Sequence, residues 1–261
     1  MLRRRVIPCL LLRHGGLVKT RRFDRPVYVG DPINAVKIFN EKEVDELLLL
    51  DITATRERRR PDFELVKEIV SEAFMPVGYG GAVTTLEDAR TLLKLGVEKV
   101  ALNSSALVDL RLVTELKDAF GAQCVVGVVD VRKTWRGRYE VFSHAGLKVP
   151  EKNPLRWAAA MVEAGAGEIV LQSVDRDGTL SGFELELLRT FDGKLRVPLI
   201  AAGGAGTVQD MLDAFRACGL SGLSVGARFV FDGPHRAVLI TYLSDLERRQ
   251  LEAAPVLRPA P

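Results

Sequence analysis

Cysteine is scarce in this sequence: Cys9, Cys124 and Cys218 are its three. Their spacing makes no zinc pattern. An odd number leaves one thiol without a disulfide partner, which fits a reducing cytoplasm better than a secreted framework. Histidine is equally sparse; His14, His144 and His235 are scattered and form no metal triad. Long apolar runs are missing. The first, Val6 to Leu12, follows a basic start, but Arg13-His14-Gly15-Gly16 ends it without a small-residue cleavage site, which argues against a signal peptide. No later run approaches the roughly 18 residues of a membrane span. Charge of one sign is not in excess. The 37 Lys and Arg against 34 Asp and Glu leave +3, too little to imply nucleic acid, and no basic patch is interleaved with aromatics. These absences predict a cytoplasmic protein with no metal, no cofactor, no membrane span and no nucleic-acid partner.

What is present is a chain of 261 residues, 47% apolar and 27% charged, enough to bury a large core. Short, continuously apolar runs recur, as expected of parallel strands covered on both faces. They are Val6–Leu12, Glu46–Asp51, Met75–Gly78, Lys99–Leu102, Cys124–Asp130, Ile169–Gln172, Pro198–Ala202 and Leu223–Val225. Helical patterns follow them at Ile33–Val44, Phe63–Ala73, Leu86–Leu95, Arg111–Phe120, Leu155–Ala164, Glu184–Phe191, Val208–Ala217 and Arg236–Leu246. Eight alternating units predict an α/β fold, a single (β/α)8 TIM barrel over residues 1–246, with 247–261 as a disordered C-terminal tail. An open doubly wound sheet is the alternative, but no GxGxxG follows the first strand. An internal repeat supports the barrel. Gly80-Gly81-Ala82-Val83-Thr84 matches Gly203-Gly204-Ala205-Gly206-Thr207, and Asn103-Ser104 then matches Gly226-Ala227, as in two half-barrels.

In such a barrel, chemistry gathers where strands end and the following loops begin. The two Gly-rich turns lie there, each before a helix, and suit phosphate groups; tight turns alone are the simpler reading. Asp51, Asp130 and Asp175-Arg176-Asp177 also fall at strand ends. Asp130 closes an apolar run and is the strongest candidate for moving a proton, whereas Asp51 and Asp175 are as well explained as loop caps or partners of arginine. Lys19, Arg21 and Arg22 lie in a long loop, Arg13–Gly30, that reads either as a lid over a phosphate or as a solvated basic loop. At the opposite strand ends stand Arg5, Glu46, Lys99 and Glu168. Singly they read as surface charge; together, two opposite-sign pairs can form a ring that plugs or gates the barrel floor.

Several segments resemble the cyclase subunit of imidazole glycerol phosphate synthase, from Met1 to about Leu246. They are Arg5-Val6-Ile7-Pro8-Cys9-Leu10, Gly16-Leu17-Val18-Lys19, Gly30-Asp31-Pro32, Leu50-Asp51-Ile52-Thr53-Ala54, Gly165-Ala166-Gly167-Glu168, Asp175-Arg176-Asp177-Gly178-Thr179 and Gly203-Gly204-Ala205-Gly206. The resemblance implies a glutaminase docked on the N-terminal face. The glutaminase releases ammonia, which passes through the barrel to a bis-phosphate substrate at the mouth. It further implies that Arg5, Glu46, Lys99 and Glu168 gate the ammonia and that Asp130 is one of two catalytic acids. Lys19 and Asp51 then lie near substrate. Gly81, Asn103 and Ser104 hold one phosphate, and Asp177, Gly178, Gly203, Gly204 and Gly226 the other. Four positions depart from the family pattern: Leu11 stands for the second acid, Ala82 for a third glycine, Ala227 for a serine and Gln172 for a threonine. With the start Cys9-Leu10-Leu11-Leu12 and the segment 31–46, they resemble a divergent branch that accompanies surface-polysaccharide synthesis. There the barrel serves a glutaminase and a separate amidotransferase that makes an acetamidino sugar. The expectation is an ammonia-conveying barrel of that branch. The rival readings are a working histidine-pathway cyclase and a non-catalytic scaffold that activates a glutaminase.

Overall fold

Side chains of a strand buried on both faces alternate between two apolar environments. In β1 (Arg5–Arg13), Val6, Leu10 and Leu12 belong to an outer core shared with the helices, and Ile7 to an inner one. A computed structural model, which describes residues 4–233 and 235–253, closes this strand into a cylinder of parallel strands. The others are β2 (Leu47–Asp51), β3 (Val77–Gly80), β4 (Lys99–Leu102), β5 (Val125–Lys133), β6 (Glu168–Ser173), β7 (Leu199–Ala202) and β8 (Gly222–Val225). Each strand pairs with the next, and β8 returns to β1 with Arg5 opposite Gly222 and Ile7 opposite Ser224. The expected (β/α)8 barrel is the fold.

Helices α1 (Pro32–Glu41), α2 (Phe63–Glu72), α3 (Leu86–Lys94), α4 (Arg111–Phe120), α5 (Pro154–Ala164), α6 (Leu185–Phe191), α7 (Val208–Ala217) and α8 (Asp245–Ala253) follow the strands. Their starts are chemically specified. Asp31 accepts from the amide of Asn34 ahead of Pro32, Asp62 from Leu65, Thr85 from Asp88 and Asn153 from Arg156. Thr207 and Asp210 cap one another reciprocally at α7. Each such cap stabilises its helix by about 1 kcal/mol.

Three expectations need correction. The third strand lies two residues later than expected, at Val77–Gly80. Tyr79 and Gly80, expected to follow the strand, belong to it, and a Cβ on Gly80 would stand 2.9 Å from Leu50 Cδ2 and 3.0 Å from the Ala101 carbonyl. The expected loop Arg13–Gly30 is a hairpin. Strand Gly16–Arg21 folds back on β1, with Leu11 opposite Val18 and Leu12 opposite Leu17, and strand Asp24–Gly30 pairs with it in turn. The two-residue turn His14-Gly15, with φ of 48° and 81°, directs that reversal. The expected helix Arg236–Leu246 is absent. That stretch holds the short strand Ala237–Val238, paired with Phe231–Asp232, and the helix begins only at Asp245. Ser244 sets this start: its amide donates to the Glu247 carboxylate at 2.7 Å, and Glu247 closes the cap. Residues 247–253, expected as tail, are therefore helical, and Leu251 is buried; residues 254–261 lie outside the described residues.

Candidate functional site

The pleat sets the chemistry along the barrel axis. Inward positions run Glu46, Leu48, Leu50 before and along β2; Lys99, Ala101, Asn103 along and after β4; Val126, Val128, Asp130 on β5; and Glu168, Val170, Gln172 on β6. One shared parity thus gives a charged floor, an apolar waist of Ile7, Leu48, Ala101, Val126, Val170 and Ile200, and a polar rim.

On the floor, the four expected charges close into a ring. Lys99 Nζ lies 2.8 Å from Glu46 Oε1 and 2.9 Å from Glu168 Oε2, and the Arg5 guanidinium bonds both carboxylates from the other side. Both glutamates are buried. Burial alone lowers the Arg5 pKa, but the hydrogen bonds and charges of Glu168 and Glu46 outweigh it and raise the value. Each charge therefore has two opposite neighbours, which offsets the desolvation that a lone buried ion would suffer. Directly above the ring is a space of about 10 Å³, roughly one water, lined by Ile7, Leu48, Ala101, Val126, Val170 and Ser224 among others.

The mouth at the other end is a cavity of about 430 Å³. It reaches down to Leu48, Ala101, Val170 and Ser224, which also line the space above the ring. Asp130 projects into it. Burial raises the Asp130 carboxyl to about 7, the charge of Asp177 adds to the rise, and the Asn103 amide, donating at 2.8 Å, opposes it. A carboxyl at that value exchanges protons near neutral pH. Asp177 is also raised, chiefly by burial; it accepts from Thr20 Oγ1 at 2.7 Å and from the Phe23 amide, with Lys19 close by. Lys19 is 5% exposed and donates to the Cys9 carbonyl. The hairpin thus places inside the mouth both Lys19, expected near the substrate, and Thr20, which the reading of this segment as a loop did not single out.

The Gly-rich turns follow β3 and β7. Gly81 has φ +128°, and a Cβ there would stand 2.6 Å from the Asp51 carbonyl; Gly203 has φ +90° and the same distance to the Ser173 carbonyl. Only glycine fits either place. Gly178, Gly204, Gly226, Asn103 and Ser104 line the same cavity, with Ser104 opening the short helix Ser104–Val108. Ala82 holds φ +52°, a conformation glycine adopts at less cost. Asp51 reaches the cavity, but its oxygens are taken: Oδ1 accepts from Thr53 and Ala54, and the Arg59 guanidinium bonds both oxygens at 3.0 and 2.7 Å. It fastens the loop after β2. Leu11 lines the mouth from β1, Gln172 from β6 and Ala227 from the 3-10 turn after β8.

Sequence reasoning missed Thr20, Arg56 and Ser224, all of which line the cavity, and gave His144 no role there. Thr20 carries the strand parity opposite to Lys19 and was hidden by the missed hairpin. Arg56 lies within the basic run Arg56-Glu57-Arg58-Arg59-Arg60, which carries no motif. Among the described residues no cluster of His, Cys, Asp and Glu is arranged to hold a metal ion, and no helix is long and apolar enough to cross a membrane.

Residues 5–234 match the family described as histidine biosynthesis protein. A Pseudomonas aeruginosa protein, named provisionally as an imidazole glycerol phosphate synthase subunit, is 53% identical over 93% of this chain and 96% of its own. A Vibrio vulnificus protein with a similar provisional name is 44% identical over 96% of both chains. The imidazole glycerol phosphate synthase subunit HisF of Streptococcus sanguinis is 41% identical over 88% of this chain and 91% of its own. With its closed barrel and its carboxyl-lined mouth, this chain belongs to the histidine biosynthesis protein family, as a barrel of the HisF cyclase-subunit type.

Proposed function

We propose that this barrel takes up ammonia from a glutaminase seated on its N-terminal face and conveys it to the mouth. There a separate amidotransferase uses it to turn an N-acetyl sugar of a surface polysaccharide into an acetamidino sugar. Ammonia is small and neutral, so it crosses an apolar waist that would reject ammonium. The ring of Arg5, Glu46, Lys99 and Glu168 is the gate: displacing Lys99 opens a path while Arg5 still neutralises the glutamates in part. One observation carries the reading. The cavity above the ring and the mouth share a lining, and Leu11 lines the mouth at the position where the family resemblance implies a second catalytic acid. Loss of one general acid or base costs about 10²–10⁴-fold in rate.

A single feature favours the other reading, a histidine-pathway cyclase. Asp177 and Asp130 are two raised carboxyls on the same mouth, the charge of Asp177 adding to the rise at Asp130, and Asp177 can take the place of the missing acid. Complementation of a cyclase-deficient histidine auxotroph separates the two. The first reading predicts no growth despite soluble expression with the glutaminase. Normal growth, or formation of imidazole glycerol phosphate at an ordinary rate by the purified pair, would overturn it in favour of the second.

A further inference from the structure

Three arginines of the loop after β2 have different fates. Arg59 is bound to Asp51 and Glu57, and Arg60 to Asp88. Arg56 meets no carboxylate among the described residues. Its one described polar partner is His144, with Nη1 3.3 Å from Nε2. Both side chains line the mouth cavity, along with Thr55, Ala82, Asn103 and Ser104. They come from opposite sides: Arg56 from the loop after β2, and His144 from the segment that leads into α5. The pair therefore spans the loops after β3 and β4, where Gly81 and Ser104 lie.

His144 is held in place. Its ring stands edge-on to Phe23, with centroids 5.8 Å apart, and 6.5 Å from Phe142. The Arg132 guanidinium caps Phe142 from 3.8 Å. The charges that act on the imidazole are Arg56, Arg132 and, opposing them, Asp24. Burial above all, and then the two cations, hold His144 below the ordinary histidine value, so near neutral pH its Nε2 accepts from Arg56. Of these groups Arg56 and His144 line the cavity, so the rim there presents a guanidinium and an imidazole with no carboxylate bonded to either among the described residues.

We propose that Arg56 and His144 form an anion clamp on the rim, gripping a phosphoryl group of the molecule that enters the mouth beside Asn103 and Ser104. Arg56 supplies a planar guanidinium suited to two phosphate oxygens. His144 supplies a ring whose Nε2 turns from acceptor to donor once the anion has displaced Arg56 and drawn a proton. The clamp rests on the phosphate site that the family resemblance implies at Gly81, Asn103 and Ser104, and it adds the residues that select for negative charge there.

Nuclear magnetic resonance of the full-length chain tests this directly, because only three histidines are present and a His144→Gln variant assigns the signal. Inorganic phosphate is the probe. In the wild type, millimolar phosphate is expected to raise the His144 titration midpoint. Arg56→Ala should raise that midpoint in the absence of phosphate and weaken phosphate binding by about tenfold or more. Arg56→Lys should recover part of the affinity. Arg56 is exposed and bonds only His144 among the described residues, so these variants leave the fold intact. If phosphate shifts the amides of Gly81 and Ser104 but not His144, or if Arg56→Ala binds as tightly as the wild type, the clamp is wrong while the phosphorylated-substrate reading stands. If phosphate shifts no resonance at the mouth, both fail.

Discussion

Asp130 shows how one residue trades stability for chemistry. Its carboxyl titrates at about 7 in the folded chain against 3.8 ordinarily. Folded protein therefore keeps a proton that unfolded chain has released, and this group's contribution to stability falls as pH rises from about 4 to 7. Asp130→Asn keeps an acceptor for Asn103 and removes the ionisable group. It should stabilise the protein at pH 8 by about 2 kcal/mol, with the gain narrowing toward pH 5. Urea unfolding at the two pH values measures this, and equal gains at both would refute the assigned titration. Leu11 poses the converse question. Leu11→Asp restores a carboxyl on β1 at the rim and should raise ammonia-dependent cyclisation of the bis-phosphate substrate by at least about tenfold. A flat response in a folded variant would show that Gln172, Ala82 or Ala227 also obstructs the reaction.

At the scale of elements, the strands and most helices were legible because parallel strands and amphipathic helices write their periods into the sequence. The failures also have local causes. Gly80 reads as the start of the Gly-rich turn, yet it is the last residue of β3, paired with Leu50 on one side and Ala101 on the other. The hairpin 16–30 was hidden behind its charged side chains, and its His14-Gly15 turn is short. The last helix was placed too early because apolar residues near 237–243 suggested a helical face, whereas the start signal was Ser244 three residues before Glu247. Ser244→Ala removes that cap. It should cost about 1 kcal/mol and loosen α8, whose Leu251 and whose Glu247 bond to Arg228 tie it to the barrel. Hydrogen exchange of the α8 amides is the readout; unchanged protection would mean that packing alone sets the helix.

For the whole molecule, the floor, waist and mouth follow from a single parity shared by neighbouring strands. The sequence exposed the floor charges and Asp130 because both sit at strand ends. It concealed Thr20, Arg56 and Ser224, whose place in the mouth depends on the hairpin and on long-range closure of the barrel. The floor ring also makes a prediction of its own. Lys99→Met leaves Glu46 and Glu168 to Arg5 alone and should destabilise the chain by about 3 kcal/mol, seen as a lower urea midpoint. An unchanged midpoint would mean the ring is solvated rather than buried.

The central claim is that ammonia travels inside the cylinder. The most direct measurement supplies the complex of barrel, glutaminase and amidotransferase with amide-¹⁵N glutamine in a large excess of unlabelled ammonium, and reads ¹⁵N in the amidated product. Delivery through the barrel predicts product labelled mainly from glutamine. Product labelled in the proportion of the bulk solution would contradict it.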